Sequence, residues 1–318
     1  MDHCSDHPSL TSVLVTGATG LVGARLLPVL AERFAQIRVL SRSTSRHRPA
    51  TDTGAHSDFW VDVRPWDGVD PGASALEGVD TVIHLAGEPI FGGLPTAARL
   101  SRIRASRIDS TRWLVDRFLE RPVGDRPARF VSASAVGIYG DRGEEPLDES
   151  SSVGSGFLAE VCRDWEAEAE RARGGGIRVV RMRIGVVLAA EGGALGLMKT
   201  PFRLGLGGRL GKGRQFFPWI QIGDLVRSIL WCVEGPIEGA INAVAPEAIR
   251  NADFTRALGD VLGCPASIPM PAFVLKTLLG PISGELLGSR RVVPARLEET
   301  GFVYAHRTIG SALEAELG

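Results

Sequence analysis

The sequence predicts an α/β fold: a Rossmann-type doubly wound parallel sheet with a smaller mixed C-terminal lobe. Three observations carry this. Short β-rich apolar runs alternate with longer helical patterns through the first two-thirds of the 318 residues, which implies βαβ units. The runs are apolar without polar alternation, as expected of strands buried on both faces. The first run leads directly into a glycine-rich turn, "TGATGLVG", that opens a helix.

Taken in order, the predicted strands are "VLVT" at 13–16, "IRVLS" at 37–41, "FWVD" at 59–62, "TVIHLAG" at 81–87, "RFVSAS" at 129–134 and "IRVVRMRI" at 177–184. Helical patterns fall at 21–35, 96–121 and 155–173; in the last, Phe157, Val161, Trp165 and Ala169 recur every four residues. Pro28 interrupts the first pattern and predicts a kink or an offsetting contact, because a proline inside a helix removes a backbone bond. "GLGGRLGKGRQ" at 205–215 reads as a basic loop, the polar stretch 41–57 as a surface loop, and Asp224 as a helix cap. Further helices are expected at 251–262 and 271–279. The expected organisation is a dinucleotide-binding domain over 11–245 and a small lobe over 246–318, with 185–220 contributing to a substrate cleft.

Composition narrows the function classes. Net charge is −1, from 36 basic and 37 acidic residues, which gives no reason to expect nucleic acid or a membrane as partner. No apolar run is long enough to span a bilayer, and the first ten residues carry no apolar signal core. Cys4, Cys162, Cys232 and Cys264 form no C-x-x-C pair and have no metal-ligand spacing with the six histidines. A reducing, cytoplasmic setting, no metal, and a monomer or homodimer acting on a small molecule are the expectations.

In the glycine turn, Gly17 permits the tight exit from the strand, Gly20 lets backbone approach a pyrophosphate, and Gly23 lets the helix pack on the sheet. Thr19, Leu21 and Val22 complete the loop, whose amides face the phosphates. An NAD site places an acidic residue at the end of the second strand. This chain has none between Glu32 and Asp52 and reads Ser41-Arg42-Ser43 there, with Arg46 and Arg48 nearby. Arginine pairs with a 2′-phosphate, so NADP(H) is the expected cofactor.

"TGATGLVG", "HLAGEPI", "SASAVGIYG", "FPWIQIGDL" and "RLEETGF" resemble the extended short-chain dehydrogenase/reductase superfamily. "SRIDSTRWLV", "FLAEVCRDWE" and "PFRLGLGGRLGKGRQFFPWI" resemble its atypical "epimerase family protein" subgroup, whose members end in a domain of unknown function. The resemblance implies adenine contacts at Asp62 and Val63, adenosine and pyrophosphate contacts at Leu85, Ala86 and Gly87, and a nicotinamide beside Ser132 to Ser134.

It also implies a catalytic Tyr with a Lys four residues on, and the chain lacks the pair. It has two tyrosines, Tyr139 and Tyr304, followed four residues later by Gly143 and Thr308. The usual helix puts Leu158 and Cys162 at the two positions. Ser134 and Tyr139 remain as candidate catalytic residues, and Glu88, Arg107, Cys162, Arg183 and Arg214 as candidate substrate contacts. Phe217 stands where sugar-nucleotide epimerases carry a phosphate-binding arginine, which argues against a nucleotide-sugar substrate. Two readings stay open: an NADP(H)-dependent oxidoreductase or epimerase-like enzyme without the Tyr–Lys pair, or a non-catalytic NADP(H)-binding sensor.

Overall fold

The computed structural model describes residues 10–42, 60–91 and 93–318; Cys4, Ser43, Arg46 and Arg48, and most of the polar stretch after Arg42, lie outside them. The elements in chain order are β1 (Ser12–Thr16), α1 (Leu21–Ala31), β2 (Gln36–Ser41), β3 (Trp60–Pro65), β4 (Thr81–His84), α2 (Ala97–Glu120), β5 (Arg129–Ala135), β6 (Pro146–Leu147), α3 (Phe157–Glu170), β7 (Arg178–Ile184), β8 (Val186–Ala189), α4 (Gly193–Arg203), β9 (Trp219–Gln221), α5 (Ile222–Glu234) and β10 (Gly239–Ala243). The C-terminal part adds α6 (Asn251–Leu262), α7 (Ala272–Leu279), α8 (Gly284–Leu287), β11 (Arg291–Val292), α9 (Ala295–Glu299) and α10 (Ile309–Leu317).

Seven strands form one sheet in the order β10-β7-β5-β4-β1-β2-β3, and every pairing in it is parallel. The strand order reverses between β1 and β4, so a crevice opens there above the carboxyl ends of the strands, where ligands bind in such sheets. Successive side chains of a strand point to opposite faces. Along β1, Val13 and Val15 accordingly join Leu26, Leu30, Ile229 and Val233 under α1 and α5. Leu14 turns the other way, toward Leu114, Phe118 and Phe130 under α2. Burial on both faces is what makes these strands read as unbroken apolar runs.

Helix α1 runs through Pro28 without interruption, held by buried Gly23, Leu26 and Leu30. Asp224 is not the cap of α5: the Gln221 side chain accepts from the Asp224 amide at 2.9 Å, while the Asp224 carboxylate accepts from the amides of Ala305 and His306, both at 2.9 Å. It ties the C-terminal segment to α5.

The small lobe is not set off at one boundary. Residues of β8, α4, β9, α6 and α10 share one core around Trp219, Phe202, Phe254 and Leu313. Residues 291–304 instead rejoin the large domain: β11 pairs with β6, and Leu297, Phe302 and Tyr304 enter the core beside α5.

Candidate functional site

The glycine loop is built by sterics. Gly17 has φ +73, and a Cβ there would lie 2.6 Å from the Leu85 carbonyl carbon. A Cβ on Gly23 would come within 2.5 Å of the Ala18 Cα. Both positions therefore exclude a side chain for reasons internal to the protein. Gly20 differs: a Cβ there meets only the Gly17 carbonyl oxygen, at 3.2 Å, and Gly20 and Thr19 are exposed. The space above Gly20 faces the crevice, at the positive end of α1, whose first-turn amides have no intrahelical acceptor. Leu21 and Val22 are partly buried beside it, and Leu21 packs against Gly193 at the start of α4. The loop suits a pyrophosphate.

Strand β2 ends at Ser41, which is buried, and Arg42 stands exposed just beyond. The end of β3 differs from expectation. The strand continues to Pro65, so Asp62 and Val63 lie inside it. The Asp62 carboxylate accepts from Arg38 Nε at 3.0 Å and Arg64 Nε at 2.8 Å. Pro65 and Trp66 occupy the edge nearest the crevice instead, with the Trp66 amide bonded to the Ser41 carbonyl.

Beyond β4, Leu85 and Ala86 are partly buried and Gly87 is exposed, lining the floor of the crevice. The floor is fixed by a buried polar chain. Ala86 N donates to Thr16 Oγ1 at 3.2 Å, Thr16 Oγ1 meets His84 Nδ1 at 2.6 Å, and His84 Nε2 meets Ser110 Oγ at 3.2 Å. Ser110 already donates to the Ser106 carbonyl, so His84 Nε2 is the donor and Nδ1 the acceptor. Burial, reinforced by Arg107, pushes the imidazole down to about 3. The unfolded chain then takes up a proton below 6.5 that the folded protein refuses, so this part of the stability is complete above pH 6.5 and falls as pH drops toward 3. Between pH 7 and pH 5 the loss is about 2 kcal/mol. Denaturant unfolding at the two pH values should show it in the wild type and a smaller loss in His84→Asn.

Arg107, on α2, reaches over this floor. Its Nη1 donates to the Glu88 carbonyl at 3.0 Å and the Ile103 carbonyl at 3.1 Å, and its guanidinium lies 5.4 Å from the Trp165 ring centroid. Burial lowers its pKa, with Cys162 and Glu88 acting the other way; it stays cationic. Among the described residues no carboxylate comes within ion-pair distance of it, whereas Glu88 itself leans toward Arg102. A desolvated cation without a counter-ion, at the end of β4, is suited to receive an anion. Cys162 is next to it, fully buried, its thiol pushed up to about 12 by burial; it stays a protonated thiol at neutral pH.

The two catalytic candidates are corrected. Ser134 is buried and donates to Glu166 Oε1 at 2.7 Å. Glu166 is held by Arg183 through Nε at 2.9 Å and Nη2 at 3.0 Å. Arg183 Nη1 donates to Tyr139 Oη at 2.9 Å, and Tyr139 Oη lies 2.7 Å from its acceptor, Asn242 Oδ1. Tyr139 has no exposed surface, and burial pushes its phenol up to about 12. The five side chains form a buried network between β5, α3, β7 and β10, to which Arg181 adds a longer contact with Glu166 Oε2 at 3.5 Å. Ser134, Tyr139 and Arg183 are consumed within it and do not face the crevice. Ser132 is likewise buried, its hydroxyl turned to the Ala133 carbonyl.

Sequence reasoning missed Glu285. Its Oε1 pairs with Arg290 Nη2 at 2.7 Å, and it lies against Gly137, just past the end of β5, where a Cβ would be 3.1 Å from Oε1. Oε2 accepts no hydrogen bond among the described residues. Burial raises this carboxyl, with Arg290 opposing. The segment that delivers it also packs Ile282 against Leu158, so the residue in the tyrosine's place is covered by the C-terminal segment. No local signal marks Glu285, because its partner strand lies far away in sequence. Arg214 is exposed, and no contact among the described residues places its side chain at the crevice. Phe217 is buried against Phe254, ring centroids 4.3 Å apart.

This loop, strand order and crevice define a dinucleotide-binding protein of the extended short-chain dehydrogenase/reductase type. The chain belongs to the NAD dependent epimerase/dehydratase family, whose model matches residues 13–244; residues 270–316 match a domain of unknown function, DUF1731. It is 38% identical to the epimerase family protein SDR39U1 homolog, chloroplastic, of Arabidopsis thaliana, over 98% of this chain and 88% of the relative. Human epimerase family protein SDR39U1 (isoform 2), solved with NADPH, superposes with a TM-score of 0.82 at 32% identity, covering 96% of this chain and 99% of that one. A nucleoside-diphosphate sugar epimerase from Corynebacterium glutamicum gives 0.77 at 34% identity, over 98% of this chain and 59% of that one.

Proposed function

We propose that the protein binds NADP(H) in the glycine loop, with Arg42 against the 2′-phosphate, and acts as an oxidoreductase on a small anionic carbonyl or hydroxyl compound. The observation that carries this is the geometry of the loop. Gly17 and Gly23 are required by the protein itself, while Gly20 leaves a space that the fold does not fill and a pyrophosphate would. The NADPH of the human relative supports the cofactor choice. Bound there, the nicotinamide would supply or accept a hydride equivalent.

The chain's own residues then have three tasks. Arg107 receives the anionic group of the substrate. The C-terminal segment carrying Ile282 and Glu285 covers the end of β5 and excludes water. Glu285 Oε2, which accepts no hydrogen bond among the described residues, holds the proton that the absent tyrosine would have held. A nucleotide sugar is disfavoured, because Phe217 is committed to the core.

A panel of 2-oxo acids, carboxylated aldehydes, their neutral homologues and nucleotide sugars, followed by NADPH absorbance, tests this. Carboxylated carbonyls should be consumed fastest. Arg107→Gln should raise their KM about 10–100-fold, the worth of a lost charge-assisted bond, and leave the neutral ones unchanged. Preference for nucleotide sugars would overturn the substrate class. Silence across the panel with NADPH still bound would favour the sensor reading, which the burial of Ser134 and Tyr139 also supports.

A further inference from the structure

The net charge of −1 averages over an asymmetric surface. Residues 192–223 and 261–284 contain no Asp or Glu, yet hold all three lysines of the chain together with Arg203, Arg209 and Arg214. The side chains of Lys199, Lys212, Lys276 and these three arginines make no ion pair or hydrogen bond among the described residues. Elsewhere arginines are mostly paired, as Arg112, Arg171 and Arg183 illustrate.

The same two segments carry the densest set of exposed large apolar side chains. Leu204, Leu206, Ile268, Met270, Phe273 and Leu278 are 40–72% exposed. The segments are bonded side by side: Ile268 N donates to the Gly207 carbonyl, Met270 N to that of Arg209, and Gly211 N to that of Met270. Helix α7 follows directly, with Gly211 against Ala272. The two joined segments are thus apolar and basic and contribute no acid of their own.

We infer that the face formed by residues 197–212 and 268–278 docks on an anionic lipid surface. Its chemistry matches in both respects. Aliphatic side chains insert at the headgroup–acyl boundary, and unpaired cations meet anionic headgroups. A second copy of the chain fits poorly, because a twofold interface would set these basic segments against themselves. A single-stranded nucleic acid fits poorly too, since Phe273 is the one exposed aromatic ring among these apolar side chains and bases need aromatic platforms. Among the described residues no helix is long and apolar enough to cross a membrane, so the contact is peripheral. The Gly-rich loop is tied to the segment that covers the end of β5: Gln215 Nε2 donates to the Leu286 carbonyl at 3.0 Å, beside Glu285.

Flotation of the full chain with phosphatidylcholine vesicles, with and without phosphatidylserine, tests the inference. The protein should float only with phosphatidylserine, and raising salt from roughly 0.1 to 0.5 M should weaken binding as charges are screened. The triple variant Arg209→Glu, Lys212→Glu, Lys276→Glu should lose at least about 100-fold in vesicle affinity, at roughly a factor of 5 per basic residue. Phe273→Ser with Leu278→Ser should release the protein while keeping its melting temperature. Failure of the wild type to float with either vesicle, or equal binding to both, overturns the inference. So does a dimer in solution that dissociates on Phe273→Ser.

Discussion

Replacing Glu166 with alanine is expected to cost about 3–5 kcal/mol of folding stability, the usual price of removing one partner from a buried ion pair. Arg183 would keep its charge in a site where it is only 6% exposed, and Ser134 would lose its acceptor. Arg181 Nη1, 3.5 Å from Glu166 Oε2, would lose its partner too. Ser134→Ala and Tyr139→Phe should behave differently. Each removes one hydrogen-bonding group and should cost about 1–3 kcal/mol. Neither should change NADPH affinity or turnover beyond what lost stability explains. If Tyr139→Phe abolishes turnover while the protein remains folded, the network is catalytic and its assignment here as structural is wrong. Denaturant unfolding and single-substrate kinetics on the same preparations decide between these outcomes.

The second large effect separates the three glycines. Gly23→Ala should destabilise the protein by about 1–3 kcal/mol through overpacking, and Gly17→Ala by at least as much, because its φ of +73 adds backbone strain to a clash with Leu85. Gly20→Ala should cost the free protein less, about 1 kcal/mol or under, since φ −77 suits alanine, its Cβ meets one carbonyl oxygen at 3.2 Å and alanine is the poorer N-cap. It should nevertheless abolish stabilisation by NADPH, which at a concentration of 100 Kd is worth about 2.7 kcal/mol in the wild type. A Gly20→Ala protein that still gains this stabilisation would place the cofactor elsewhere.

The sheet was legible because its strands are buried on both faces and its helices carry a periodic apolar stripe. The predicted helix at 251–262 coincides with α6. Strands β8 and β9 were not legible: three or four residues long, they are fixed by packing in the small lobe rather than by pattern. The cofactor loop could be read because the sterics of a tight turn demand glycine at set spacings. The catalytic candidates could not. Ser134, on β5, and Tyr139, in the turn just beyond it, occupy motif-like positions, but where their side chains point depends on Glu166 and Arg183, residues that the motif does not include. Glu285 was invisible for the opposite reason, since its role comes only from the C-terminal segment folding back over Gly137. Asp62 was misplaced because β3 runs three residues further than its apolar run.

The most direct test of the central claim is a thermal-shift titration of the wild type and Arg42→Ala with NADPH and NADH. The wild type should be stabilised by NADPH at concentrations about 10–100-fold lower than by NADH, the worth of one charge-assisted contact to the 2′-phosphate. Arg42→Ala should erase most of that difference by weakening NADPH alone. Equal stabilisation of the wild type by both cofactors, or by neither, would contradict the account.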